Sequence, residues 1–344
     1  PDWPQPATAP GRQRSPIALP AFSIQHLTET LSHLGAMRIH EVWAWNFKEE
    51  VEACLEVARS CRSGAFVAFD VEFPGVVQQP PLSATRDEQY VALRCNVNML
   101  QPIQLGIAIS DMEGAVGGVW SFNLYFSMWE DLHTEASVAL LSGAGLNFLR
   151  HEAEGIDAQD YGRWLATSPL IGQSSVAHRW LTFSGHYDLG YLLKLITAGR
   201  QLPSDLGSFE AALKIHFPHR LELRNWLPFG SLEHHLQERG IEHQGAAHTA
   251  ASDALATLHL FFMVVTAAQR ARRDAVLDEQ QEPDSEPLAA SDLGWPMPQA
   301  PSSSMPKVLQ RPANRGHRAA ATSSWASAAR QAAVEEVVTV GALR

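Results

Sequence analysis

Five side chains in the sequence are of the types that bind divalent cations and transfer protons. Asp70 and Glu72 lie two residues apart in an otherwise apolar segment. Asp188 follows a later apolar segment, and His248 and Asp253 are five residues apart near a third. Carboxylate oxygens suit hard divalent cations, and histidine exchanges a proton readily near neutral pH. These residue types together indicate metal-assisted hydrolysis of a phosphodiester bond.

The segment that carries Asp70 and Glu72 is predicted to be a buried strand. Residues 65–73 are rich in Phe and Val, and Pro74-Gly75 stops the run. Side chains at positions i and i+2 of a strand point to the same face, so both carboxylates share one spot. Buried neighbouring acids repel and need a proton, a basic partner or a metal ion. The alternative is that both acids face solvent on the wet side of the strand.

Asp188 is predicted to follow a strand at 176–183 and to lie near the start of a helix at 187–198. The end of a strand is where α/β sheets commonly gather their functional sites. A carboxylate at this position also has a purely structural explanation, because helix N-termini favour negative charge. Asp188 therefore indicates a site only in combination with the other acids.

His248 and Asp253 precede and enter the last predicted helix, at residues 249–269. A separation of five residues corresponds to about 500° on a helix, so the two side chains would not share a helical face. We expect His248 to remain in the preceding loop and Asp253 to lie one turn into the helix. Thr249 is the predicted helix cap.

The remaining pattern predicts one α/β domain with a mixed sheet flanked by helices over residues 36–270. Strands at 103–110 and 118–126 form a predicted hairpin, and further elements are helices at 41–62 (capped by Asn46), 130–170 and 231–239 and a short strand at 221–223. A leader at residues 1–35 and a tail at 271–344 are predicted to be disordered, with a short helix near 325–338.

Composition limits the class of protein. The formal net charge is −11 over 344 residues, which counts mildly against a nucleic-acid enzyme, although a carboxylate site is acidic by construction. The three cysteines form no C-x-x-C pair, which argues against a disulfide framework or a zinc module. The N-terminal residues show no secretion signal, and the apolar stretch 254–268 is too short to span a bilayer. We expect a soluble intracellular protein.

Seven segments form a recognisable set: IHEVWAWN at 39–46, FDVEFPGVV at 69–77, LRCNVNMLQPIQLGIAISD at 93–111, WSFNLYF at 120–126, EGID at 154–157, WLTFSGHYDLGYLLK at 180–194 and HTAASDAL at 248–255. With these segments the chain resembles the CAF-type poly(A) deadenylases, the RNase D-like nuclease subunit of the CCR–NOT complex within the DEDDh exonuclease superfamily. The resemblance covers roughly residues 38–266.

The resemblance implies an RNase H-like fold and 3′→5′ removal of AMP from mRNA poly(A) tails with two Mg²⁺ or Mn²⁺ ions. By motif position, Asp70, Glu72, Asp188 and Asp253 would be metal ligands and His248 the general base. The implied partners are the RNA tail, the NOT scaffold, a second deadenylase of the exonuclease-endonuclease-phosphatase type and BTG/Tob-like regulators. The implied location is the cytoplasm, with the nucleus as a second compartment.

Several positions depart from the family pattern. Ser184-Gly185-His186 stands where the family has His-Ser-Gly, Asn98 and Gln101 replace Asp and Lys, Leu221-Glu222 replaces Tyr-Asp, and Ala251 replaces Gly. Two alternatives therefore stay open: a related DEDDh nuclease with another nucleic-acid substrate, and a catalytically weak scaffold subunit.

The substrate contacts are predicted separately, from the side chains near the first motif. Single-stranded nucleic acids are gripped by stacking and by contacts to the backbone. The candidate RNA contacts are Phe73, Tyr90 and Arg94, and each of them also suits a core or surface position.

Overall fold

The computed structural model describes residues 37–172 and 178–281, and in them a six-stranded sheet in the order β1-β4-β3-β2-β5-β6. The strands are β1 (Ile39–Val42), β2 (Phe66–Glu72), β3 (Gln104–Ser110), β4 (Val116–Asn123), β5 (Arg179–Thr182) and β6 (Arg220–Glu222). The α-helices of these residues are α1 (Phe47–Ser60), α2 (Arg86–Met99), α3 (Glu135–Gly143), α4 (Phe148–Glu154), α5 (Ala158–Thr167), α6 (His186–Ile196), α7 (Leu206–His216), α8 (Leu232–Arg239) and α9 (Ala250–Gln281).

The sheet is mixed, as the sequence predicts. β2, β3 and β4 form an antiparallel meander, and the predicted hairpin is β3–β4. β1 pairs with β4, β5 with β2 and β6 with β5, each in parallel. β2 therefore lies inside the sheet between two neighbours, which buries the strand that carries Asp70 and Glu72.

Each face of the sheet is covered by helices. The odd positions of β2, such as Val67 and Phe69, belong to an apolar cluster with residues of α1, α2, α5 and α6. The even positions, such as Phe66 and Ala68, pack instead with α9. Because side chains alternate along a strand, Asp70 and Glu72 lie on the face that α9 covers.

The predicted helix at 41–62 is wrong at its N-terminal end, and α2 was not predicted from the sequence. Glu41 belongs to β1, and the helix begins only at Phe47. Asn46 lies at the N-cap position but makes no capping bond, because its Oδ1 accepts from the Trp43 N–H at 2.8 Å. Four residues of strand are too few for a periodicity to separate them from a following amphipathic helix.

α9 is longer than predicted. It continues to Gln281, so residues 271–281, which the sequence assigns to a disordered tail, are helical. The predicted leader at 1–35 and the predicted helix near 325–338 lie outside the described residues.

α9 is apolar because most of its N-terminal part is buried in the core. Residues Ala250–Asp274 are long and apolar enough to cross a membrane by length and composition alone, and 78% of the most apolar window is buried inside the protein. Leu255, Leu258 and Phe261 of this helix pack against the sheet. A buried core helix meets the same length and composition criterion as a membrane span.

Candidate active site

Asp70 and Glu72 lie at the C-terminal end of β2. Asp70 is opposite Gly106 of β3, and Glu72 is opposite Gln104. Both acids are half-buried, whereas the strand residues 66–69 before them are buried. The strand thus passes within two residues from the core to the group formed by Asp70, Glu72, Asp188, His248 and Asp253, which we call the pocket. The predicted convergence of the two carboxylates is what the structure contains.

Asp188 joins this pocket from the first turn of α6. Its Oδ1 accepts a hydrogen bond from the N–H of Val71 at 2.8 Å, so the carboxylate sits against the backbone between Asp70 and Glu72. The side chain is buried. Asp188 therefore lies beyond the end of β5, as the sequence predicts, and this position brings it close to Asp70 and Glu72.

The turn before α6 is held by Glu222 at the end of β6. The Glu222 carboxylate accepts from the N–H of Ser184 at 2.8 Å and from the N–H of Gly185 at 2.9 Å. It also accepts from the hydroxyl of Thr182 at 3.1 Å. Ser184 has a φ of +58°, a conformation that costs an L residue energy. Glu222 and the Ser184-Gly185 turn both depart from the family pattern, and they are in direct contact. The Glu222 carboxylate stabilises this turn.

α9 reaches the pocket because Gly106 lets it approach β3. A Cβ atom at Gly106 would lie 2.0 Å from the carbonyl oxygen of Ala250, at the start of the helix. His248 lies in the preceding loop with a φ of +63°, and its N–H donates to Asp253 Oδ2 at 3.2 Å. One ligand atom from each of Glu72, His248 and Asp253 lies within 4.8 Å of the others.

The N-terminus of α9 is fixed by a chain of polar side chains that crosses the sheet. The Ala250 N–H donates to Gln104 Oε1 at 2.9 Å, and Gln104 Nε2 donates to Asn123 Oδ1 at 2.7 Å. Asn123 Nδ2 in turn donates to Glu41 Oε2 at 2.8 Å. Thr249, the predicted cap, donates its hydroxyl to Ala246 O instead. The three polar residues occupy neighbouring strands, so no local sequence pattern links them.

His243 is a second histidine at the pocket, and no motif in the sequence predicts it. Its Nε2 lies 2.7 Å from Asp253 Oδ1, and its Nδ1 lies 2.9 Å from Ser252 Oγ. Ser252 Oγ also donates to the carbonyl of Gln244, which can only accept. By this hydrogen-bond assignment both ring nitrogens donate, and the bond to Asp253 raises the pKa of His243 above its usual value. His243 lies ten residues before Asp253, a separation at which helix or strand periodicity does not predict a contact.

The carboxylates of the pocket destabilise each other's charge. Burial, followed by repulsion from Asp188, Asp253 and Glu72, raises the pKa of Asp70 well above its ordinary value. Burial and the charges of Asp253 and Asp188 raise the pKa of Glu72 to about 8. Burial raises the pKa of Asp188 to about 7, against the opposing effect of its backbone hydrogen bonds. All four carboxylates are close enough to interact.

This donor set fits divalent cations. Among the described residues, Asp70, Glu72 and Asp188 form no ion pair with lysine or arginine, and the charged neighbours that act on Asp70 are all acidic. Hard cations bind several carboxylate oxygens at once and would offset this repulsion. The solvent-facing alternative for Asp70 and Glu72 is not what the structure shows, because both face α9 and the other acids.

Comparison with known proteins agrees with this geometry. The family described as CAF1 family ribonuclease matches residues 42–160. The chain is 36% identical over 242 residues to the CCR4-NOT transcription complex subunit 7 of Caenorhabditis elegans, which covers 66% of this chain and 76% of that protein. It is 31% identical over 260 residues to the poly(A) ribonuclease pop2 of Schizosaccharomyces pombe, with coverage of 73% and 74%. The chain belongs to the CAF1 family of ribonucleases.

Solved CAF1-family structures share the fold. The structure of S. pombe Pop2p with Mg²⁺ and Mn²⁺ bound has a TM-score of 0.61 at 32% identity and covers 66% of this chain and 91% of that one. A yeast CAF1 co-crystallised with the NOT1 MIF4G domain has a TM-score of 0.57 at 25% identity, with coverage of 68% and 90%. The predicted family and the predicted RNase H-like α/β fold are confirmed.

The other departures from the CAF1 pattern are absorbed locally. Asn98 Oδ1 accepts from the N–H of Leu202 at 2.9 Å, and Gln101 Oε1 accepts from Lys194 Nζ at 3.2 Å. Ala251 is buried in the first turn of α9 against the sheet. None of these substitutions removes a group from the pocket.

The three predicted RNA contacts have intramolecular partners. Tyr90 is buried and its hydroxyl donates to Pro203 O at 2.7 Å. Arg94 Nε donates to Leu202 O at 3.0 Å. Phe73 stacks on Tyr187, with ring centroids 5.1 Å apart. Their role in RNA binding stays a prediction, and the structure gives each of them a role in packing.

Proposed function

We propose that this CAF1-family chain shortens mRNA poly(A) tails as a 3′→5′ exoribonuclease and releases AMP, with Asp70, Glu72, Asp188, Asp253 and His248 as its active site. The observation that carries the proposal is the convergence of four carboxylates from β2, α6 and α9 on one pocket with His248 at its rim. The poly(A) ribonuclease pop2 of S. pombe is a relative with this activity in its name.

The four carboxylates would hold two divalent cations, Mg²⁺ or Mn²⁺, as the metal-bound structure of S. pombe Pop2p supports. Bound ions of this kind stabilise the charge on the attacking and leaving oxygens of a phosphodiester. Val71 and the α9 N-terminus orient Asp188 and Asp253 before any ion binds. The protein's contribution is thus a set of acids whose mutual repulsion makes cation binding favourable.

We assign His248 the role of the base that accepts a proton from the attacking water, and its position supports this role. Its ring carries a ligand atom within 4.8 Å of Glu72 and Asp253, and the side chain is exposed to solvent at the pocket rim. A neutral imidazole can take a proton at physiological pH and return it to solvent. The positive φ keeps the backbone of His248 turned toward Asp253.

The direct test is tail shortening in vitro. A 5′-labelled RNA that ends in adenosines should shorten one nucleotide at a time with Mg²⁺ or Mn²⁺, and Asp70→Asn should abolish the ladder. Matched substrates ending in uridines, and DNA of the same sequence, distinguish a poly(A) enzyme from a DEDDh nuclease with another substrate. The proposal fails if the wild-type chain leaves the RNA intact under every metal condition, which would favour the scaffold function.

The proposed partners follow from the relatives. The NOT scaffold is the first, because a yeast CAF1 was co-crystallised with the NOT1 MIF4G domain. A second deadenylase of the exonuclease-endonuclease-phosphatase type and BTG/Tob-like regulators are proposed from the family resemblance. Co-purification of each tagged partner with this chain tests them one at a time.

The proposed location is the cytoplasm, with the nucleus as a second compartment. Fluorescence imaging of the tagged chain would check it. We also propose that residues 36–281 form the catalytic unit, since α9 extends to Gln281. Limited proteolysis should then leave a fragment with these ends.

A further inference from the structure

Asp253 has a hydrogen-bond partner on each of its two carboxylate oxygens. Its Oδ1 lies 2.7 Å from His243 Nε2, and its Oδ2 accepts from the N–H of His248 at 3.2 Å. Two donors on opposite oxygens fix the rotation of the carboxylate group. Each oxygen of an ionised carboxylate has a further lone pair, so both remain able to bind a cation.

His243 is itself held in place. Its Nδ1 contacts Ser252 Oγ at 2.9 Å, and Ser252 lies next to Asp253 on α9. The same hydroxyl bonds to the carbonyl of Gln244, whose side chain accepts from the N–H of Met37 at 2.9 Å. Only 14% of the His243 side chain and 15% of the Asp253 side chain are exposed. The imidazole is therefore a fixed support for Asp253.

We propose that His243 is a positioning residue for the metal ligand Asp253, an inference that rests on the proposed function. Among the described residues, the group whose ligand atoms lie within 4.8 Å of one another comprises Glu72, His248 and Asp253, and His243 contacts Asp253 from outside this group. Hydrogen-bond partners of this kind orient a metal-binding carboxylate, and their loss weakens metal binding about 10–100-fold. His243 thus acts on the cation through Asp253.

The competing explanation is that His243 only ties the loop before α9 to the helix. A structural role depends on filling space and on stability, whereas a positioning role depends on an N–H at the place of Nε2. His243→Leu fills the space without a donor. His243→Gln offers an amide N–H of sufficient reach, and His243→Asn offers the same amide on a side chain one carbon shorter.

The experiment measures Mn²⁺ affinity of the full chain by titration calorimetry without RNA. His243→Leu and His243→Asn should bind Mn²⁺ about 10–100-fold more weakly than wild type, and His243→Gln should recover most of the loss. His259→Leu is the matched control, because His259 is another buried histidine of this region on α9 and its Nε2 has no partner among the described residues. Its affinity should equal that of wild type.

Two results would overturn the inference. One is wild-type affinity in His243→Leu or, if that variant does not fold, in His243→Asn. The other is an equal loss in His243→Gln and His243→Asn, which would mean that the donor is irrelevant. Neither result touches the proposed function, which fails only if the wild-type chain does not shorten RNA with a metal ion present.

Discussion

Two regions of the molecule gather side chains of the types that bind metal ions, and their charges are balanced differently. In the catalytic pocket the carboxylates repel one another, and the charges that act on Asp70 are all negative. On α8, one ligand atom each from His234, His235 and Glu238 also lies within 4.8 Å of the others. Proximity and residue type therefore describe both regions equally well.

The difference is how fully the protein itself balances the charge of each group. Arg239 Nη1 lies 3.3 Å from Glu238 Oε2 and 3.4 Å from His235 Nδ1. His235 Nε2 contacts the carbonyl of Pro228 at 3.1 Å, so the ring already has its partners. The α8 group needs no added ion. In the catalytic pocket His243 pairs with Asp253 alone, so the charge of Asp70, Glu72 and Asp188 is left for a proton or a bound cation to offset. Charge balance, more than ligand type, therefore marks a metal site.

The largest expected effect separates the two regions by removing one negative charge from each. Asp188→Asn keeps the oxygen that accepts from Val71 but removes the charge, and tail shortening should fall on the order of 10⁴-fold, since several kcal/mol of charge stabilisation are lost. Glu238→Gln should leave the rate unchanged. The rate of tail shortening in saturating Mn²⁺ measures both, and equal losses in the two variants would erase the distinction.

Loss of the base should have the next largest effect. His248→Asn keeps the positive φ, because asparagine tolerates that conformation, but removes the proton acceptor. The rate of the chemical step should fall about 10²–10³-fold with little change in Mn²⁺ affinity. Single-turnover kinetics and calorimetry measure the two quantities. A large loss of metal affinity would make His248 a ligand instead.

The stability of the metal-free protein should fall as the pH rises from about 4 to 8. The pKa values of Glu72 and Asp188 are raised in the folded state to about 8 and about 7, against about 4 in the unfolded chain. An acid with a raised folded pKa stabilises the fold when protonated, so its contribution is present below pH 4 and is lost as the pH rises through the folded pKa.

Each such group contributes a slope of up to about 1.4 kcal/mol per pH unit between its two pKa values. Denaturant unfolding at several pH values with EDTA measures the slope, and saturating Mn²⁺ should remove it. Glu238→Gln should leave the slope unaltered, while Asp188→Asn should reduce it. If the free energy of unfolding without metal did not depend on pH, the pKa values of the pocket acids would not be raised in the folded state.

The smallest effect concerns the support of Asp188. Glu222→Ala leaves the N–H groups of Ser184 and Gly185 without their acceptor, which costs about 1–3 kcal/mol. We expect Mn²⁺ affinity to drop about tenfold as Asp188 loses its fixed turn. Glu222→Gln retains one acceptor oxygen and should show a smaller loss. Unchanged affinity in Glu222→Ala would mean that Val71 alone positions Asp188.

The chemistry-bearing residues were predictable because they break local patterns. Asp70 and Glu72 interrupt an apolar strand, and Asp188 and Asp253 each enter an apolar helix, so a period of two or 3.6 makes them visible. The strands β2 to β4 were predictable for the same reason. β1 was mistaken for helix, since its parallel pairing with β4 is a contact between residues far apart in sequence.

The supports of the site were not predictable in this way. Gln104 and Asn123 look like ordinary polar residues of two strands, and their link to the N-terminus of α9 appears only when the sheet is formed. His243 is one histidine of fifteen in the sequence. Its bond to Asp253 depends on how the loop before α9 folds back.

The sequence by itself determined the kinds of ligand, their order along the chain and the family to which they belong, because these depend on local periodicity and on motifs. The tertiary structure decided which face of β2 meets α9, how closely Gly106 allows the helix to approach, and which polar groups hold each acid. These features arise from contacts between distant segments, whose geometry no local pattern encodes. The sequence therefore determines which chemical groups form the metal pocket, and the fold determines how their charges are balanced.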